Sequence, residues 1–295
     1  MKTLRAEHLG MCFGVRDAIA LAEHHSRNAP LTILGELVHN ETVLAQLRER
    51  GIQFQNQPIA VATRTAMITA HGTSDRARDH ARALGLNVLE ATCPLVHFAH
   101  RAVKKLVQAG FHPVIIGQRG HVEVRGLTED LERCDIVLNE ADVERLVEQP
   151  RFGIAAQTTQ PIERVNRLVE LIRQRFPQSE VRFIDTVCQP TKQRQSAAVE
   201  LARQSDVVIV IGGANSNNTR ELAATCARHC DRVHHVQSPA DLRPEWFESA
   251  DTIGITAGTS TPDQTIEEVE RAIHQMVAGD GGHDQMETAA HQFAR

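Results

Sequence analysis

Tyrosine is absent from the 295-residue chain, tryptophan occurs once, and aromatic residues together make up 3%. A protein that grips single-stranded nucleic acid by stacking bases on rings has little to work with here. Excess positive charge is missing as well. Acidic residues number 37 against 32 basic ones, and the formal charge of −5 argues against a duplex-DNA partner. No run approaches the roughly 18 apolar residues needed to cross a bilayer, so no membrane partner is expected. The stretch up to Asp17 lacks the unbroken apolar core of a secretory signal. Six cysteines are too few for a disulfide-stapled fold, and they are expected to be free, buried or metal-bound in a cytoplasmic protein.

What is present is a repeated plan of short apolar strand, polar or glycine-rich loop and amphipathic helix. Strands are predicted at Leu31–Leu34, Ala66–Ala70, Pro113–Ile116, Gly153–Ala156, Val207–Ile211 and Thr252–Thr256. Helices are predicted at Val15–His24, Asn40–Arg50, Phe98–Ala109, Ile162–Phe176, Lys192–Gln204, Arg220–His229 and Gln264–Val277. Alternation of this kind implies parallel sheets with crossover helices. Ligands in such sheets bind beyond the carboxyl ends of the strands. The loops at those ends (Ala70–Ser74, Gly117–Glu123, Gln157–Thr159, Gly212–Thr219 and Ala257–Thr261) are rich in Gly, Ser, Thr, Asn, Gln and His.

Three cysteines stand apart. Cys12, Cys93 and Cys188 lie 81 and 95 residues from one another, each between a strand and a helix. Helix N-termini lower thiol pKa, and thiolates are what soft metals and iron–sulfur clusters require. Taken singly, each reads first as a small buried hydrophobe, but three in equivalent positions point to a shared metal site. Cys134, Cys226 and Cys230 read as ordinary buried thiols. The pair Cys226 and Cys230, near His229, His234 and His235, also leaves zinc ligation open.

His39 precedes a helix and His71 follows a strand. His121 and Glu123 lie two apart, so an extended segment projects both to one face, an imidazole and a carboxyl placed for proton delivery. The stretch from Gly212 to Thr219 is a donor-rich loop opening a helix and suits a phosphate, though it lacks the P-loop lysine. Thr256 to Pro262 is a similar turn. Two readings remain beside an enzyme: a catalytically silent iron–sulfur redox sensor, and a metal-free nucleotide-binding protein.

In order and near their spacing, Cys12-Phe13-Gly14-Val15, Leu37-Val38-His39-Asn40, Ala70-His71-Gly72-Thr73-Ser74, Ala91-Thr92-Cys93-Pro94, Gly120-His121-Val122-Glu123, Gln157-Thr158-Thr159, the Cys188 segment, Asn215-Ser216-Asn217-Asn218-Thr219 and Thr256-Ala257-Gly258-Thr259-Ser260 resemble the 4-hydroxy-3-methylbut-2-enyl diphosphate reductase family. The resemblance runs from about Leu4 to about Val277. It implies three similar α/β domains with parallel sheets in a pseudo-threefold arrangement around one central 4Fe-4S cluster. The boundaries that follow are residues 1–95, 96–187 and 188–278, with a flexible tail over 279–295. The cluster ligands implied are Cys12, Cys93 and Cys188, leaving one iron open to act as a Lewis acid. The substrate implied is an allylic diphosphate, reduced to isopentenyl and dimethylallyl diphosphates. Diphosphate binding falls to His39, His71, His121, Ser216, Asn218 and Ser260, and proton delivery to Glu123, with Thr158 beside it and Thr191 facing the same pocket. Electrons are expected from an external ferredoxin- or flavodoxin-type donor, since no flavin or nicotinamide fingerprint is present. Two positions depart from the family pattern. Val122 stands where many members have proline, and Asn217 stands where they have serine, which sets Asn217 aside as a diphosphate ligand.

Overall fold

The structure is a computed structural model and describes residues 1–280. Among these, twelve strands form three four-stranded sheets in which every pairing is parallel. One sheet is built from β2 (Leu31–Leu34), β3 (Gln53–Gln55), β4 (Thr65–Ile68) and β5 (Asn87–Glu90), in the order β3-β2-β4-β5. A second contains β6 (His112–Ile116), β7 (Asp135–Val137), β8 (Arg151–Ala156) and β9 (Glu180–Phe183), in the order β7-β6-β8-β9. The third joins β10 (Val207–Ile211), β11 (Val233–Val236), β12 (Thr252–Ala257) and the N-terminal β1 (Lys2–Arg5), in the order β11-β10-β12-β1. The helices are α1 (Phe13–Ser26), α2 (Glu41–Glu49), α3 (Asp75–Ala83), α4 (Pro94–Gln108), α5 (Val122–Thr128), α6 (Glu140–Glu144), α7 (Ile162–Arg175), α8 (Gln189–Arg203), α9 (Asn217–Cys226) and α10 (Asp263–Asp280).

The three sheets share one topology, with the fourth strand of the last supplied by β1. The expected boundary of 1–95 is therefore corrected at its start. Lys2 to Arg5 pair with Thr252 to Ile255, and residues Met1–Met11 form a compact unit with the chain from Gln193 onward. A four-residue strand has no face of its own to bury and takes the vacant edge beside β12. The second compact unit is Cys12–Lys192 and holds the other two sheets. Of the tail expected from residue 279, the first two residues end α10, and the rest lies outside the described residues.

Each predicted strand and helix is present; Leu31–Leu34 and Val207–Ile211 keep their predicted ends, and the others are shifted by a few residues. The edge strands β3, β5, β7, β9 and β11 and the short helices α3, α5 and α6 were not foreseen, being brief and mixed in polarity. Central strands carry the core on both faces, as parallel sheets require. Val114 and Ile116 pack with α7 residues Val165, Leu168 and Ile172, while Ile115 faces Ala99, Val103 and Val124. In the other unit Val207, Ile209 and Ile211 pack with Ile266, Val269 and Ile273, and Val208 and Val210 face Ala198, Leu201 and Leu222. No helix among the described residues is long and apolar enough to cross a membrane.

Candidate active site

Within the Cys12–Lys192 unit, α3 and α5 tie the two sheets together. Asp130, just past α5, accepts from the Asp75 and Arg76 amides at 2.7 and 3.1 Å and so caps α3. Ser74 donates to Glu129 at 3.0 Å. This junction brings the loops after β2, β4 and β6 to one place. There the rings of His39, His71 and His121 meet: His39 stacks on His71 with centroids 4.7 Å apart, and His121 stands edge-on at 5.4 and 5.7 Å. Burial, with the adjoining His39 and His121, pushes His71 well below the usual histidine range, which keeps it neutral. His39 Nε2 and His71 Nδ1 are buried without a protein partner, as if awaiting a ligand.

His121 and Glu123 are not on an extended segment. His121 is the N-cap of α5, and its Nδ1 accepts the Glu123 amide at 3.1 Å. With Nδ1 so occupied, the neutral ring carries its proton on Nε2 as a donor. Val122 fills the first helical position, where proline is favoured because its missing N–H has no helical partner to lose. That explains how valine and proline serve equally there.

Glu123 is 1% exposed and lies in the first turn of α5. Thr158, on the loop after the neighbouring β8, donates its amide to Oε1 at 2.6 Å and its hydroxyl to Oε2 at 3.0 Å. Burial raises the carboxyl to about 7, with both Thr158 bonds pulling the other way. A group titrating there holds its proton in reserve near neutrality and is suited to general acid work.

The three separated cysteines belong to the same unit, and each follows the fourth strand of its sheet. Cys12 and Cys93 occupy the N-cap positions of α1 and α4 with no side-chain cap bond, and Cys188 immediately precedes α8. The amide of Cys93 donates to Ala70 O at 3.0 Å, and that of Cys188 to Thr158 O at 2.9 Å. Cys93 and Cys188 thus hang from the segments that also present His71 and Thr158. A Cβ on Gly14 would sit 2.5 Å from Cys93 Sγ, so only glycine lets α1 approach that sulfur. Cys93 and Cys188 each feel the charge of Cys12 and of Glu123, so the four groups lie within electrostatic reach of one another.

The thiols are not activated as helix N-termini suggest. Burial outweighs the helix dipole, raising Cys93 and pushing Cys188 up to about 11, even though the Thr191 hydroxyl lies 3.1 Å from the Cys188 sulfur. Thiols so buried ionise for a strongly positive partner, as metal binding provides. No three His, Cys, Asp or Glu side chains among the described residues come close enough to hold one ion. A multi-iron cluster places its thiolates on different irons and spaces them more widely. The other thiols are of a different kind: Cys226 Sγ is directed at Ala198 O, and Cys230 Sγ at the carbonyls of Ser205, Asp206 and Arg232. These are buried S–H donors, and the zinc alternative loses its ligands to them.

In the other unit, Ser216 caps α9 by accepting the Thr219 amide at 3.3 Å. Around that helix start, Asn217 Nδ2, Asn218 Nδ2, Thr219 Oγ1, Thr256 Oγ1 and Ser260 Oγ are buried and unpartnered. Thr256 is the penultimate residue of β12, and the others lie beyond the carboxyl ends of β10 and β12, the switch point of that sheet. Asn217 has the same standing as Asn218, so the reason for setting it aside as a ligand falls away. The sequence alone assigned no part to Gly14, inside the Cys12 motif, or to Glu36, one residue before Leu37-Val38-His39-Asn40.

A family model described as LytB protein matches residues 3–274. A relative from Trichlorobacter lovleyi named 4-hydroxy-3-methylbut-2-enyl diphosphate reductase is 36% identical over 278 residues, spanning 94% of this chain and 99% of its own. A relative of the same name from Aquifex aeolicus is 35% identical, spanning 93% and 96%. Among solved structures, E-1-hydroxy-2-methyl-but-2-enyl-4-diphosphate reductase from Plasmodium falciparum superposes with a TM-score of 0.86 at 26% identity, over 92% of this chain and 87% of that one. A further structure, of (E)-4-hydroxy-3-methyl-but-2-enyl diphosphate reductase, described as the terminal enzyme of the non-mevalonate pathway, gives 0.67 at 35% identity over 93% and 100%. Matched from its first strand into its last helix, the chain belongs to the LytB protein family.

Proposed function

We propose that the chain reduces 4-hydroxy-3-methylbut-2-enyl diphosphate to isopentenyl and dimethylallyl diphosphates, the last step of the non-mevalonate isoprenoid pathway. The observation that carries this reading is a buried, protonatable carboxyl, Glu123, coupled to Cys93 and Cys188 in the unit that also holds the three-histidine cluster. The reaction needs that combination. The hydroxyl leaves as water, a C–H bond forms on the allyl group, and two electrons and two protons are consumed while the diphosphate is unchanged.

Cys12, Cys93 and Cys188 would hold a single 4Fe-4S cluster, and their half-buried thiols, free of disulfides, fit that role. When bound, such a cluster supplies electrons and an iron free of cysteine that acts as a Lewis acid toward the hydroxyl oxygen. Glu123 provides the proton for the departing hydroxyl through the Thr158 hydroxyl that contacts its carboxyl, while the Thr158 backbone carbonyl accepts the Cys188 amide. Thr191 steadies the Cys188 sulfur with its hydroxyl. His39, His71 and His121 are the diphosphate-binding candidates of one unit, and Ser216, Asn218 and Ser260 those of the other, with the unpartnered polar atoms in each unit supporting the assignment. Electrons come from a separate one-electron carrier of ferredoxin or flavodoxin type. The six free cysteines support a reducing, cytoplasmic setting.

Anaerobically reconstituted protein supplied with a strong one-electron reductant is expected to turn over the hydroxylated allylic diphosphate to both products. Cluster-loaded protein that binds this substrate and leaves it unreduced would remove the assignment.

A further inference from the structure

We propose that Glu36 is a positioning residue for diphosphate binding: its carboxylate accepts the Nδ1–H of His39, directs Nε2 at the anion, and balances the proton that His39 takes up when the anion binds. The inference deepens the function proposed above and rests on its reading that His39 meets the diphosphate.

The geometry begins at the end of β2. Gly35 turns the chain with φ +90°, its amide held by Gln55 O at 2.8 Å. Leu37 and Val38 are then anchored in the core, at 0% and 1% exposure, which fixes Glu36 and His39 on the same side of the segment. His39 Nδ1 lies 3.0 Å from Glu36 Oε2. The ring plane is set from the other direction by stacking on His71. With one nitrogen tied to the carboxylate, Nε2 is the atom left buried and unpartnered.

The charged and titratable groups facing His39 are Glu36, His71 and His121. The three rings are not equivalent toward an anion. His121 has its Nδ1 filled by the Glu123 amide, so its neutral form already offers an Nε2–H. His71 is crowded by two rings and disfavours charge. His39 has the Glu36 carboxylate on one nitrogen, and a bound diphosphate puts a second anion on the other. Two anionic neighbours call for two N–H bonds, and a neutral imidazole has one. Binding therefore draws one proton from water onto Nε2, with no other bond changed, and Glu36 carries the opposing charge. The Glu36 side chain is 50% exposed, so solvent screens the attraction and the effect is modest.

The test is calorimetric titration of inorganic diphosphate into the full-length, cluster-loaded protein, in buffers of differing ionisation enthalpy, for the wild type, Glu36→Gln and Glu36→Asp. The wild type is expected to take up about one proton per diphosphate, by linkage. Glu36→Gln should lose most of that uptake and bind roughly 3- to 10-fold more weakly, while Glu36→Asp restores part of both. Cluster absorbance and Tm should match the wild type, because the replaced group is exposed. Proton uptake by Glu36→Gln equal to that of the wild type, or no recovery in Glu36→Asp, would overturn the role of Glu36 alone. A wild type that binds no diphosphate would overturn the site reading and this role together.

Discussion

Thr158 holds the Glu123 carboxyl at both oxygens, by its amide at 2.6 Å and its hydroxyl at 3.0 Å. The partners are 35 residues apart: Thr158 stands on the loop after β8, and Glu123 in the first turn of the helix that follows the paired strand β6. Sheet register thus fixes the contact, and neither local segment has to be rigid on its own. Two opposed effects meet in the carboxyl: burial favours the neutral acid, and the Thr158 bonds favour the carboxylate.

Replacing Glu123 with Gln keeps volume and one acceptor but removes the proton. The expected result is intact cluster absorbance, little change in substrate affinity, and kcat lower by about 10²–10⁴. In the wild type the acid form is present below a pKa of about 7 and lost above it, so kcat should fall as pH rises through that value. A pH–rate profile flat over roughly pH 6 to 8.5, the neutral range in which general acids are tuned, would exclude Glu123 as the acid.

Thr158→Val removes the hydroxyl and leaves the amide bond to Oε1. Glu123 then loses a bond that favours its charged form, and the descending limb should move to higher pH while kcat drops. Thr158→Ser, which restores the hydroxyl, should return both. Paired pH–rate profiles of the two variants make the measurement.

Gly14→Ala places a methyl 2.5 Å from Cys93 Sγ and must displace the sulfur or α1. Most of the iron and the visible absorbance should be lost, although the substitution touches no ligand. Cys134→Ser, at a half-buried thiol coupled to Asp135 and Arg119, should keep both. Equal iron content in the two variants would sink the cluster assignment.

Ser260→Ala deletes a buried, unpartnered hydroxyl beyond β12. A hydrogen bond to a charged group is worth about 1.5–3 kcal/mol, so diphosphate binding should weaken roughly 10- to 100-fold with the cluster spectrum unchanged. Asn217→Ala and Asn218→Ala should weaken it comparably, since both amides are buried and unpaired. Calorimetry on the three variants gives the comparison.

Arg194 is 8% exposed, and its Nε and Nη2 both donate to Gly10 O, at 3.0 and 2.8 Å. Arg194→Met fills similar space without the donors and leaves that carbonyl unpaired. A loss of about 1.5–3 kcal/mol follows, seen as a Tm lower by roughly 3–10 °C.

The sequence by itself determined the alternation of strands and helices, because Val207–Ile211 and Leu31–Leu34 are apolar enough to be central strands and their helices carry periodic apolar faces. It also set Cys12, Cys93 and Cys188 apart from the other cysteines, since they recur once per repeat of the plan, each before a helix. Edge strands such as Gln53–Gln55 and Val233–Val236 left no such trace, being short, half-buried and defined by the strand they join. Tertiary structure alone decided that β1 completes the last sheet, because a parallel edge accepts any short strand of matching length and sequence does not name the partner. It decided that Glu123 sits in the first turn of a helix, since Val122 suits extension and helix start alike and only the His121 cap selects the second. And it decided the protonation of the site: burial set Glu123 near 7 and held Cys188 as a thiol near 11, against the direction that a helix N-terminus alone would give. Desolvation depends on everything packed around a group, and that neighbourhood is assembled from segments far apart in the chain.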